Sequence, residues 1–105
     1  MKLPKSIKVG PTTYGLSVLP EHDDDFGHCR VSTLSIAYNK DQSDQSLIHT
    51  IVHESLHAMI YSYGIRQQFS NPQQEENLVS SLEPALIAWI RDNPALLKLI
   101  LDVKQ

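Results

Sequence analysis

The sequence predicts an α+β protein, a small N-terminal antiparallel sheet followed by helices. Two observations carry this. Apolar residues alternate with polar ones through residues 6–18 and again through 30–39, the period of half-buried strands. From about residue 44 they recur instead at intervals of three and four, the period of helices. No internal repeat, linker or low-complexity tract divides the chain, and 105 residues suit one domain, spanning 1–105, with a single modest core.

Taken in order, Ile7 and Val9 alternate before a Gly10-Pro11 turn, and Tyr14, Leu16 and Val18 after it, which reads as two short strands. "PEHDDDFGHC" is polar and turn-rich and reads as a surface loop. Alternation through Val31, Leu34, Ile36 and Tyr38 predicts a further strand or hairpin arm, and "STLSIAY" within it is a candidate edge strand for pairing with an extended peptide. Ser43, Asp44 or Ser46 can cap a helix over 44–63 that gathers Leu47, Ile48, Val52, Leu56, Met59, Ile60 and Tyr63 on one side and stops at Gly64. A connector broken by Asn71-Pro72 leads to a helix over 73–92 with Leu78, Val79, Leu82, Leu86 and Trp89 on one stripe, which Pro84 should kink or divide. Asn93-Pro94 opens a short last helix whose Leu96, Leu97, Leu99 and Ile100 suit a docking face.

Composition narrows the class. An apolar share of 41% with 20% charge and a net charge of −3 describes a globular chain without the basic patch that tracks a phosphate backbone, so no nucleic acid is expected as partner. No apolar run approaches the roughly 20 residues that span a bilayer. Cys29 is the only cysteine, which excludes an internal disulfide and a Cys-rich zinc ribbon. "MKLPKSIKVG" has charge but no apolar core of a signal peptide, and a cytoplasmic setting is expected.

The chemistry lies in His53-Glu54-Ser55-Leu56-His57. On a helix, residues four apart stand one above the other, so both imidazoles can meet one metal ion. Glu54 sits about 100° further round, where it can take a proton from a water without ligating the ion. This is the H-E-x-x-H arrangement of zinc-dependent hydrolases. Zinc polarises the scissile carbonyl and acidifies the water, and the glutamate carries its proton to the leaving amine. Such zinc takes three protein ligands and keeps one position open. No histidine follows His57, and Cys29 stands far back in the sequence, so the third ligand is sought among Glu75, Glu76 and Glu83. Tyr38, His49, Tyr61 and Tyr63 are candidates for stabilising the developing oxyanion. His22, Asp23, Asp24, Asp25, His28 and Cys29 read as a solvated acidic turn, with a second metal site as the alternative.

"HESLH" followed by a helix opening with "EENLVSSL" resembles the gluzincins, whose third zinc ligand is a glutamate on the helix after the zinc helix. Counted as in their aminopeptidase branch, the eighteen residues after His57 lead to Glu76, with Glu75 as the alternative, and the polar partner four positions on is Ser80. The order of elements is also similar to that of small phage and mobile-element metallopeptidases of the ImmA/IrrE-like and SprT-like kind, though the third histidine and zinc ribbon of the latter are lacking. The resemblance implies a minimal zincin-like fold, a Zn²⁺ cofactor, and a peptide or protein substrate cleaved with Glu54 as general base. A chain of this size forms a shallow cleft, so narrow specificity is expected, with a protein partner completing the site. The competing reading is a zinc-binding regulatory or phage accessory module that recognises a protein without turnover.

Overall fold

A computed structural model describes residues 1–103. Four strands, β1 (Ser6–Val9), β2 (Thr12–Val18), β3 (Gly27–Arg30) and β4 (Ser35–Tyr38), precede three helices, α1 (Asp44–Ser62), α2 (Pro72–Asp92) and α3 (Pro94–Asp102). The architecture is the expected α+β order of sheet, then helices. The strands form one sheet in the order β1-β2-β4-β3. β1 and β2 make an antiparallel hairpin closed at Gly10, whose φ of +59° lies in the left-handed region that glycine occupies without strain. β3 and β4 are also antiparallel, but β2 and β4 run parallel, with Leu16 opposite Ile36, so the sheet is mixed rather than wholly antiparallel.

Three expectations change here. Residues 27–29, read as part of a loop, belong to a strand, because the four residues "GHCR" at 27–30 pair with 35–38 across a turn at 31–34. The alternation from Val31 to Tyr38 therefore spans a turn and a strand, and Leu34 takes a positive φ of 50° at the junction. β4 is paired on both sides and cannot be an edge; the free edges belong to β1 and β3. The third concerns Pro84: of the two outcomes expected, kinking or dividing α2, division does not occur, since the helix is continuous over its 21 residues.

α1 is the centre of the molecule and buries two faces. Toward the sheet, Ala58 joins Val9, Tyr14 and Ile36 in one cluster; toward α2, Leu56 and Ile60 pack on Val79 in another. Burying each of the larger side chains is worth roughly 1.5–3 kcal/mol. The expected single stripe is thus two, and Met59 and Tyr63 fall outside both and are exposed. Ser43 caps α1 by accepting from the Ser46 amide at 3.1 Å. Gly64, with φ +69°, turns the chain into a short 3-10 segment, Ile65–Gln68, and Asn71 caps α2 through the Gln74 amide at 3.0 Å. These caps return α2 antiparallel along α1. Its buried row is Glu75, Val79, Glu83 and Ile87; Leu78, Leu82 and Trp89 of the expected stripe are exposed. No residue of α3 is buried. Among the described residues no helix is long and apolar enough to cross a membrane.

Candidate metal centre

Histidines 49, 53 and 57 follow one another at helical spacing on α1 and face the glutamates of α2. His53 Nε2 lies 2.9 Å from Glu76 Oε1, and His57 Nε2 lies 2.8 Å from Glu76 Oε2. One atom from each of His53, His57 and Glu76 falls within 4.8 Å of the others, and these three can hold a metal ion; no other such group occurs among the described residues. The donor set fits zinc. Ligands at tetrahedral angles and zinc bonding distances stand about 3.3 Å apart, and the observed imidazole–carboxylate separations need to open only slightly. The Ser80 hydroxyl donates to Glu76 Oε1 at 3.2 Å and steadies the carboxylate.

Glu75 does not join this cluster. Its Oε2 meets the other nitrogen of His57, Nδ1, at 2.6 Å, and its Oε1 accepts from Arg66 Nε at 2.9 Å. Burial alone would push the Glu75 carboxyl up, but the hydrogen bonds from Arg66 and His57 and their charges outweigh it and hold it below the ordinary value. A carboxylate accepting from Nδ1 fixes the tautomer and the orientation of a ligating ring, so Glu75 serves His57 from behind. Glu83 stands apart as well, with its Oε2 2.6 Å from His49 Nδ1.

Glu54 is buried, yet it lines the same cleft as both histidines, a depression of about 630 Å³ between α1, β3 and the start of α2. Burial raises its carboxyl to about 7, the charges of Glu76 and Asp25 adding to the rise and His57 opposing it. Gly27, at the start of β3, packs closely on this corner of the cleft. A Cβ there would stand 2.6 Å from Thr50 Cγ2, 2.8 Å from the Ala37 carbonyl oxygen and 3.5 Å from Glu54 Cγ. Gln42 ties the same corner together, donating to the Asn39 carbonyl at 2.7 Å and the Phe26 carbonyl at 3.2 Å while accepting from Thr50 at 2.9 Å.

Of the oxyanion candidates only His49 lines the cleft. Tyr61 lies under the Arg66 guanidinium at 5.2 Å, Tyr63 rests against Gly10, and Tyr38 is on β4, none of them at the site. Cys29, distant in sequence, does line it from β3, and burial first, then the Glu54 charge, pushes its thiol up to about 11. The acidic turn gathers no metal cluster; there Asp23 Oδ1 accepts from the Asp25 amide at 2.9 Å. Sequence reasoning missed Gly27, Gln42 and Arg66. Only Arg66 carried a signal, as the one cation on the segment joining the two helices. No family model, curated protein or solved structure matches the chain.

Proposed function

We propose that this chain is a small zinc-dependent metallopeptidase of gluzincin type, akin to ImmA/IrrE-like and SprT-like enzymes, with His53, His57 and Glu76 as ligands. The observation that carries the reading is the convergence of these three groups in one cleft beside the buried carboxyl of Glu54. When bound, zinc supplies polarisation of a peptide carbonyl and an acidified water. Glu54 takes the proton of that water and delivers it to the leaving nitrogen. Glu75 holds His57 in the tautomer that leaves Nε2 for ligation. The unpaired edge of β3, whose residues Gly27, His28 and Cys29 line the cleft, receives an extended substrate by main-chain pairing.

Main-chain pairing along four residues selects few side chains, so turnover is narrow and centres on one protein partner in the cytoplasm, where the single thiol of Cys29 stays reduced. A second reading, an interaction module that keeps zinc without turnover, is favoured by the exposed apolar residues of α2 and α3.

Mass spectrometry of casein and of host lysate, each incubated with zinc-loaded wild type or Glu54→Gln, separates the two. The peptidase yields a few specific fragments in lysate, little from casein, and none with Glu54→Gln although zinc is retained. Identical fragment patterns from both proteins would leave the module as the reading.

A further inference from the structure

The α1–α2 seam holds a second histidine–carboxylate pair that the reaction above does not use. Glu83 is 8% exposed, in line with Val79 and Ile87, and its Oε2 lies 2.6 Å from His49 Nδ1. An alkyl side chain would fill that place without the cost of desolvating a carboxylate, so a buried acid there needs a reason. The pair repeats the one formed by His57 and Glu75, eight residues along each helix. In both, a buried carboxylate takes Nδ1 and turns Nε2 the other way. For His57 that nitrogen meets Glu76; His49 lines the cleft together with His53 and Glu54 and keeps Nε2 outside its pair with Glu83.

The geometry points to His49 as a catalytic residue that donates its Nε2–H to the carbonyl oxygen of a bound peptide as negative charge collects there, with Glu83 as its positioning residue. This rests on the peptidase reading. Because Nδ1–H is committed to Glu83, the donating form is the imidazolium, whose charge the Glu83 carboxylate balances. The role is hydrogen bonding only; Glu54 moves the protons. It gives the charged oxygen a preorganised donor from the same rigid helix that carries the metal-ligating histidines.

Zinc-loaded wild type, His49→Gln and Glu83→Gln can be titrated with a panel of phosphonamidate dipeptides, whose tetrahedral phosphoryl group carries the charge, and with acetohydroxamate, which needs the metal alone. His49→Gln should lose about ten- to a hundredfold in phosphonamidate affinity while its zinc content and hydroxamate affinity stay at the wild-type level. Glu83→Gln should lose about tenfold and also shift the His49 ring resonances in long-range ¹⁵N–¹H spectra, which a merely structural glutamine swap elsewhere in the seam would not. Equal phosphonamidate affinity in wild type and His49→Gln overturns the assignment and leaves the peptidase reading standing. Failure of zinc-loaded wild type to bind any phosphonamidate overturns both. If His49→Gln does not fold, Glu83→Gln decides: unchanged affinity there overturns the assignment.

Discussion

Between α1 and α2 the chain buries two carboxylates of α2, Glu75 and Glu83, whereas the outer face of α2 exposes Leu78, Leu82 and Trp89, and α3 exposes Leu99 and Leu101. A helix placed by its apolar moment alone would turn the other way. The difference is one of partners. His57, His49 and Arg66 wait on the inner side at hydrogen-bonding distance, so each buried acid is satisfied, and no buried side-chain nitrogen or oxygen lacks a partner among the described residues. The outer face offers its leucines and tryptophan no apolar surface of this chain. The seam therefore combines an apolar cluster of Leu56, Ile60 and Val79 with two imidazole–carboxylate pairs.

The largest effect that tests this contrast is on metal uptake. Wild type should bind about one Zn²⁺ per chain, and His57→Ala, His53→Ala or Glu76→Ala should abolish stoichiometric binding, as read by elemental analysis after gel filtration. Glu75→Gln keeps the three ligands and removes only the charge behind His57. Chelator competition should show zinc held about 10- to 100-fold more weakly. If Glu75→Gln binds as wild type does, the buried acids of the seam are packing groups and the contrast with the outer face loses its functional meaning.

Much of this arrangement is visible in the sequence, and the parts that are not share a cause. α1, its Ser43 cap, the Gly64 stop and the Asn71 start follow from local chemistry, and so does the meeting of His53 and His57 on one face. The inner face of α2 does not, because apolar periodicity assigns leucines inward and acids outward and cannot see a partner helix. The missed signal was in the spacing: Glu75 and Glu83 are separated by as many residues as His49 and His57, which suits two antiparallel helices joined by polar rungs. β3 escaped notice because four residues with one apolar member carry no period, and it is a strand only by virtue of β4 and α1. With β3 unseen, β4 is left as a candidate edge in the sequence.

Next in size is the pH dependence of the metal-free protein. Glu54 titrates near 7 in the folded state against 4.5 for the ordinary carboxyl, so folding favours its protonated form. That stability is fully present below pH 4.5 and is lost as pH rises to about 7, a difference of roughly 3 kcal/mol. Glu75 runs the opposite way: its lowered value gives stability present above 4.5 and lost as pH falls below it. Urea unfolding across pH 3 to 8 should therefore peak near pH 4.5 to 5. Glu54→Gln should flatten the upper limb and Glu75→Gln the lower. An upper limb unchanged in Glu54→Gln would mean that the carboxyl is hydrated when folded.

A smaller loss is expected where the sheet meets α1. Gly27→Ala places a methyl group 2.6 Å from Thr50 Cγ2 and 2.8 Å from a backbone oxygen that cannot move freely. β3 must then back away from α1, at about 1–3 kcal/mol, or some 4–8 °C in Tm for each kcal/mol. Gly15→Ala, with nothing within 4 Å, is the matched control in the same sheet and should lie close to wild type. Glu54 Cγ, 3.5 Å from the added methyl, stays in ordinary contact, so Glu54 is affected only through the shift of β3, which Gly15→Ala does not impose.

The smallest effect belongs to the outer face, and there the concentration dependence decides more than the size. Leu101 is 81% exposed and Leu99 60%, so Leu101→Gln and Leu99→Gln remove little burial and should each change stability by no more than about 0.5 kcal/mol. Leu56→Ala, inside the α1–α2 cluster, should cost about 2–5 kcal/mol. Unfolding midpoints measured at low and at hundredfold higher protein concentration extend the comparison. For a face that stays in water, the midpoints of wild type and of both outer-face variants are independent of concentration. A wild-type midpoint that climbs with concentration while Leu101→Gln stays level would mean that the face is covered by a second copy, since mass action stabilises only the state that associates. In that case the apolar outer face would be an interface, and the two sides of α2 would differ in what they bind rather than in whether they are used.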